Sequence, residues 1–476
     1  MRTLVWFRRD LRVADNMALY HAAKESSEGV VGLYLATPEQ WELHDDADCK
    51  VGFWMRNLQL LSKSLAKKNI PLVIDDCKNF HNTADTVVRH TKQSSCQSVF
   101  INREYEVNEL NRDAATKRKC EAAGIDFRRF HDRVIVPPRE IATKDGRFYS
   151  VFTPYKNVWN TRALGFCSPL PRPGKQQKIS VEPSNVPQKL GRYLINDPLE
   201  SLWPAGENEA RKRLTAFGKS IQDYGSARDI PSQEGTSNLS PYLAAGVISP
   251  RQCLASALTH NQGEIEGPSE GAKIWISELT WRDFYAHVMV GFPRVSKDLP
   301  FKRKTAAVPW RDSQTEFEAW SIGQTGYPIV DAGMRQLNQT GWMHNRLRMV
   351  TAMFLTKNLL IDWRMGQRYF MEKLIDGDLA ANNGGWQWSA STGTDSVPYF
   401  RIFNPFSQSK RFDVEGNFIK AMCPELEPVP AKSLHDPAKL SKAIKELNID
   451  YPDFVVEYKF SRERALAAFK SLNQTS

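Results

Sequence analysis

Leu4-Val5-Trp6-Phe7, then Asp15-Asn16-Met17-Ala18-Leu19, then Val30-Val31-Gly32-Leu33-Tyr34-Leu35 is the stretch that decides the fold of the first part of the chain. The two apolar runs are short and rich in β-branched and aromatic residues, as buried strands are. Asp15 stands where a helix N-cap belongs, so a helix is expected from Asn16. Strand, capped helix and strand make a crossover unit. Working outward, Phe53 to Leu65 reads as an amphipathic helix. Pro71-Leu72-Val73-Ile74, Ser98-Val99-Phe100-Ile101 and Asp126-Phe127-Arg128-Arg129-Phe130 supply further strands. This alternation predicts a doubly wound, parallel α/β sheet. Neither G-x-G-x-x-G nor G-x-x-x-x-G-K-[ST] follows the first strand, which disfavours a standard NAD site or a Walker ATPase.

The pattern then changes. Phe166 to Pro198 contains six prolines and reads as a connector. From Glu207 strand signals fade. Helices are expected over Ala210–Tyr224, Ala272–Val290, Pro328–Leu337, Asn345–Leu360, Gln367–Leu374 and Ile444–Leu472, the last broken at Pro452. The expected organisation is an α/β domain over 1–135, a linker over 136–205 and an all-α domain over 206–476.

Composition limits the function classes. Hydrophobic residues make up 41% and charged residues 25% of the 476, ordinary for a globular protein. No apolar run is long enough to span a membrane, and the first residues lack a signal-peptide pattern. A cytoplasmic protein is expected, nucleoid-associated in a bacterium. The excess of 64 basic over 54 acidic residues, a net charge of +10, permits a polyanionic partner. Seven cysteines without a C-x-x-C pair argue against disulfides and structural zinc. No metal site is expected. H-E-x-x-H and G-x-S-x-G are missing, so zinc and serine hydrolases are not supported.

Several clusters are candidates for chemistry. Asn345 and Met349 are four apart and share a helical face, which suits a flat heteroaromatic ligand or, more plainly, a capping Asn and a core Met. Asp376-Gly377-Asp378 lacks the later ligands of a calcium loop and suits a turn. Asn382-Asn383-Gly384-Gly385, beside Trp386 and Trp388, would let backbone approach a ligand. Glu278, Trp281 and Tyr285 share a face. A carboxylate among aromatics is costly unless paired, and Arg282 at i+4 is the ordinary partner. Glu234-Gly235-Thr236-Ser237-Asn238-Leu239-Ser240 either holds a phosphate or forms a capping loop. Basic groups recur at Lys156, Arg162, Arg172, Lys175 and Lys178, and at Lys297, Lys302, Arg303 and Lys304.

In order along the chain, these motifs resemble the photolyase/cryptochrome family, and within it bacterial class I cyclobutane pyrimidine dimer photolyases. The resemblance rests on Leu4 to Arg12 with Asp15-Asn16, on Glu234 to Ser237, Trp275 and Glu278-Leu279-Thr280-Trp281-Arg282. It rests further on Gly326-Tyr327-Pro328, Trp342-Met343-His344-Asn345-Arg346, Asp376-Gly377-Asp378 and Trp386-Gln387-Trp388. It implies an N-terminal antenna domain and a helical domain holding FAD. The flavin site it implies comprises Tyr224, Thr236, Ser237, Asn238, Leu239 and Ser240, with Trp275, Asn345, Arg348, Asp376, Asp378 and Asn382. Asn382 would face the flavin's central ring nitrogen, where plant cryptochromes usually carry Asp and animal ones often Cys.

The implied dimer-binding cavity comprises Arg228, Glu278, Trp281, Asn345, Arg346, Met349, Trp388 and Arg401. Trp310, Trp363 and Trp386 match the family's electron relay, and Glu278, Asn382 and these three are the expected catalytic residues. His44, Asn108, Glu109 and Lys297 match positions used with a methenyltetrahydrofolate antenna, with a deazaflavin as the alternative. The expected activity is light-driven splitting of pyrimidine dimers in UV-damaged DNA by a monomer. The alternatives are a cryptochrome photoreceptor without repair activity and a flavin oxidoreductase working in the dark, which would need a nicotinamide site.

Overall fold

The computed structural model describes residues 1–472. Five parallel strands, Thr3–Phe7 (β1), Val30–Ala36 (β2), Leu72–Asp76 (β3), Ser98–Asn102 (β4) and Asp126–Phe130 (β5), lie in the order β3-β2-β1-β4-β5. Residues of β1 pair with β2 from Thr3↔Val30 to Phe7↔Tyr34, and with β4 from Thr3↔Ser98 to Val5↔Phe100. The three inner strands are wholly buried, while β3 and β5 at the edges are partly exposed. Covered faces explain why the inner strands read as unbroken apolar runs instead of alternating. One helix between them differs from expectation at its start. Asn16 is the N-cap, its Oδ1 accepting from Leu19 N at 3.1 Å. Asp15 has φ 53° and uses its carboxylate on Ser249 and Arg251 instead.

The strand order reverses between β1 and β4, and ligands of doubly wound sheets bind outside the carboxyl ends of the strands at such a point. Here Arg8, Arg9 and Asp10 follow β1, and Asn102 and Glu104 lie at the end of β4. Asn102 Nδ2 donates to Asp10 Oδ2 at 2.7 Å.

By packing, the chain divides into two units. The first comprises Met1–Gln222, Ser237–Ser296 and Ile375–Ala380; the second comprises Asp223–Thr236, Lys297–Leu374 and Ala381–Ser476. The proline-rich connector includes a small antiparallel hairpin of Lys189–Leu190 and Tyr193–Leu194. Beyond Glu207 the regular structure of the described residues is helical, apart from one bridge between Arg311 and Ile361. Glu270–Gly291 and Pro328–Thr340 sit where periodicity places them. The helix expected over Asn345–Leu360 ends at Met353 and continues as a π-turn, Phe354–Asn358, before Leu360 at φ 55°. The last expected helix is two, Pro437–Glu446 and Tyr458–Ser471, separated by a longer stretch than Pro452 alone would impose.

The π-turn places Lys357 in the core of the second unit, fully buried. Its Nζ donates to Ser391 Oγ at 2.8 Å and lies 3.8 Å from the Phe469 ring centroid. Burial, with the Lys302 ammonium adding to it, pushes the Lys357 ammonium down to about 7. The unfolded chain keeps that proton up to about 10.4. Below pH 7 both states are charged and burial carries its full cost. Above it the folded state binds fewer protons, so stability rises with pH between about 7 and 10. Lys357→Met is therefore expected to raise stability by about 1–3 kcal/mol at pH 6.5, and the gain is expected to shrink by pH 9.5. Urea unfolding of both proteins at the two pH values checks this; a gain independent of pH contradicts it.

Candidate functional site

In the first unit the helix Glu270–Gly291 carries Trp275, Glu278 and Trp281. Ser269 starts it, its Oγ accepting from Ala272 N. Most of the helix is buried, and Glu278, Trp281 and Tyr285 are half-buried along one stripe, the face expected from their spacing. Trp281 stacks on Phe152 with centroids 3.6 Å apart and planes within 6°. Trp275, 4% exposed, leans on Phe217 at 4.8 Å. Arg282 donates from Nη1 to the carbonyl of Arg133. Asp283 ties the helix to the chain after β5, accepting from Ile135 N, Val136 N and Trp159 Nε1 at 2.9, 3.1 and 3.0 Å. Burial pushes its carboxyl up to about 6.

Asn238, at φ 50°, lies in the turn before a five-residue helix, Ser240–Ala244. Asp376 is buried, and Asp378 is ion-paired with Arg133. Glu109 is buried in the first turn of the helix Val107–Ala122. Its carboxyl is raised, by burial and by Glu106. His44 Nε2 accepts from Asn108 Nδ2 at 3.0 Å and Gln40 Nε2 at 2.9 Å, and His44 Nδ1 lies 3.8 Å from Glu109 Oε1. Two donors on Nε2 place the proton on Nδ1, toward Glu109. Burial lowers the His44 imidazole, which favours its neutral form. Three of the four expected antenna residues are thus together, close to the switch point; Lys297 is exposed and belongs to the second unit.

In the second unit the helix Asn345–Met353 is capped by His344, whose Nδ1 accepts from Arg346 N at 3.2 Å. Asn345 is therefore not the cap. It is the exposed first residue, and Met349 is half-buried. Burial pushes the His344 imidazole down to about 4, which suits an acceptor nitrogen. Arg346 pairs with Asp229 at 2.8 Å and lies over the Phe412 ring at 4.3 Å. Arg348 Nε donates to Met343 O at 2.8 Å. The Arg228 guanidinium lies 5.4 Å from the Tyr224 ring centroid. Gly235 admits no side chain, because a Cβ there would stand 2.5 Å from Ala227 O.

The helix Leu379–Ser389 carries Asn382, Trp386 and Trp388. Asn382 Nδ2 donates to Gln367 O at 2.9 Å. Beside it, Gln367 Oε1 accepts from Asn383 Nδ2 at 2.8 Å, and Asn383 Oδ1 from Gln387 Nε2 at 2.9 Å. Gln387 Oε1 in turn accepts from Phe301 N at 2.8 Å. These amides hold the helix at a fixed rotation, and sequence reading missed them because only long-range pairing distinguishes them from surface amides. Trp363 and Trp386 are buried and share one core with the partly buried Trp310. Trp386 packs on Phe370 at 4.9 Å and on Trp320, also unflagged, at 6.0 Å. Arg401 is exposed, as are Lys302, Arg303 and Lys304.

Among the described residues no group of three His, Cys, Asp or Glu side chains is arranged to hold a metal, and no helix is long and apolar enough to cross a membrane.

Comparison with known proteins identifies the class. Residues 3–174 match the DNA photolyase family, and residues 275–471 match the FAD binding domain of DNA photolyase. The chain belongs to the DNA photolyase family. It is 43% identical over 472 residues to a deoxyribodipyrimidine photo-lyase of Salmonella typhimurium, covering 98% of each chain. It is 45% identical over 480 residues to that of Vibrio cholerae, covering 98% of this chain and 99% of the relative. The crystal structure of a class III photolyase from Agrobacterium tumefaciens superposes with a TM-score of 0.87 at 34% identity, covering 99% of this chain and 98% of the other. A Synechocystis cryptochrome superposes at 0.85 with 28% identity, covering 98% and 99%. A Sulfolobus tokodaii photolyase holding two FAD molecules superposes at 0.81 with 30% identity, covering 99% and 100%.

Proposed function

We propose that this protein is a light-dependent DNA repair enzyme of the class I kind, splitting cyclobutane pyrimidine dimers in UV-damaged DNA. The observation carrying this reading is full-length identity of 43–45% to relatives named deoxyribodipyrimidine photo-lyase, together with the aromatic, carboxylate and amide groups described above. The chemistry FAD would supply when bound in its reduced form is a light-driven electron that opens the cyclobutane ring and is returned afterwards.

By the family pattern, Tyr224, Thr236, Ser237, Asn238, Leu239, Ser240, Trp275, Asn345, Arg348, Asp376, Asp378 and Asn382 would hold that group. Asn382 has its amide nitrogen engaged by Gln367 O, so its Oδ1 would accept from the N–H that only reduced flavin carries at the central ring. Trp310, Trp363 and Trp386 would relay electrons to oxidised flavin, since indoles are the side chains most readily oxidised by one electron.

Trp281 and Trp388 would stack against the dimer, with Arg228, Arg346, Met349 and Arg401 around it. Glu278 and Asn345 would satisfy polar edges that are costly to leave unpaired. A dimer must leave the duplex to reach such groups; photolyases are a standard example of this flipping. His44, Asn108, Glu109 and Lys297 would hold a pterin antenna, methenyltetrahydrofolate, with deazaflavin as the alternative. A second FAD is the antenna suggested by the Sulfolobus relative. A cytoplasmic monomer acting on nucleoid DNA completes the proposal.

Binding tests the substrate part. Reduced protein in the dark is expected to prefer a duplex with one thymine dimer over the same undamaged duplex. Its affinity for both should fall as salt rises. Equal affinity for the two would overturn it. Phe152→Ala removes the face on which Trp281 rests. It is expected to weaken dimer binding by about fivefold, about 1 kcal/mol, with FAD content unchanged. Fluorescence anisotropy reads this, and unchanged affinity would show that Trp281 needs no backing.

A further inference from the structure

We infer that Arg133 is a positioning residue for Asp378, and that it ties the flavin-side carboxylate to the buried charges at the sheet's switch point. The inference rests on the reading of Asp378 as a flavin residue. Arg133 follows β5, outside the segment matching the FAD binding domain, and no motif points to it. Its side chain is 8% exposed. One guanidinium nitrogen, Nη2, meets Asp378, and Nη1 lies 3.2 and 3.3 Å from the two carboxylate oxygens of Glu106. Glu106 lies 2.9 Å from Arg9, whose Nη2 is 3.9 Å from Glu109. Glu104 also pairs with Arg9, and with Arg112 at 2.7 Å. The chain Glu109–Arg9–Glu106–Arg133–Asp378 therefore runs unbroken from the proposed antenna residue to the proposed flavin residue.

The backbone of Arg133 is fixed as well. Arg282 donates to its carbonyl, and Asp283 accepts from the two amides at Ile135 and Val136. A guanidinium pinned at its backbone and between two carboxylates has one geometry, and it transmits that geometry to Asp378. Buried pairs of this kind cost more to break than they contribute net, because removing one partner leaves a buried charge alone. Without Arg133 the Asp378 carboxylate loses the guanidinium that fixes it and one of the positive charges facing it, Arg282 being another. Loss of Arg133 should weaken FAD binding and disfavour the reduced form.

The test uses the full-length FAD-loaded protein with Arg133→Met, Arg133→Lys, Glu106→Gln and Asp378→Asn. FAD release is followed by its fluorescence, and the flavin midpoint potential by spectroscopic titration. Arg133→Met is expected to raise the FAD dissociation constant at least about tenfold, about 1.4 kcal/mol, and to lower the potential. Arg133→Lys should recover part of both, since it keeps the charge. Glu106→Gln, which does not touch Asp378, loosens the hold on the Arg133 guanidinium and removes a negative charge; it should weaken FAD binding by less than Arg133→Met but raise the potential, and it carries the test if Arg133→Met does not fold. Arg133→Met combined with Asp378→Asn should cost less than the sum of the two. Additive effects, or an unchanged potential in both Arg133→Met and Glu106→Gln, would overturn the inference. If Asp378→Asn alone leaves FAD affinity and potential unchanged, the flavin reading of Asp378 falls, and the inference with it.

Discussion

Phenylalanine in place of Trp386 is expected to slow photoreduction of oxidised flavin by more than about tenfold, about 1.4 kcal/mol in the barrier. Repair by chemically reduced protein should stay near the parent level. The two outcomes would separate because the proposed relay would only restore the reduced flavin, whereas repair uses it. Trp386 is 2% exposed and fills a closely packed place. A Cβ on Gly366 would stand 2.1 Å from Trp386 Cη2, so Gly366→Ala must push the indole aside. That variant should lose stability by about 1–3 kcal/mol and show intermediate photoreduction. Trp320, in edge contact with Trp386, is another oxidisable neighbour. Photoreduction undiminished in Trp386→Phe would show that electrons take a route not passing through Trp386.

The second large effect is expected at Glu278. In its protonated form Glu278, on the half-buried stripe beside Trp281, would donate a hydrogen bond to the negative charge that develops on the opening dimer. Hydrogen bonds to charged groups contribute about 1.5–3 kcal/mol, so Glu278→Ala should cut repair roughly 10- to 100-fold. FAD content should remain that of the parent. Glu278→Gln, which keeps a donor and an acceptor, should lie between the two. Measured as repair per absorbed photon alongside bound FAD, a loss of FAD that tracks the loss of repair would make Glu278 a structural residue.

Much of this architecture is legible in the residues. The three inner strands are short, largely apolar runs at crossover spacing, and burial of both faces is what makes them near-continuous. The stripe of Glu278, Trp281 and Tyr285 follows from helical period alone. Other features depend on partners distant in the chain. Asp15 would cap its helix if Ser249 and Arg251 did not claim its carboxylate, and Asn16 takes over. His344 replaces Asn345 as a cap because burial keeps its imidazole neutral. The Phe152 stack, the Gln367–Asn383–Gln387 amides and the Arg133–Asp378 pair join residues from separate segments, and no local pattern announces them. Lys357 is the plainest case: nothing in Phe354-Leu355-Thr356-Lys357-Asn358 signals a π-turn or a buried ammonium.

The central claim is repair driven by light. The most direct measurement is loss of a single cyclobutane thymine dimer from a DNA oligonucleotide, incubated with purified protein whose FAD is fully reduced. Parallel samples are kept dark or exposed to blue or near-ultraviolet light. Dimer loss in the light and none in the dark is the predicted result. Intact dimer in both, with reduced FAD still bound, would contradict the account and turn attention to a photoreceptor acting through a protein partner.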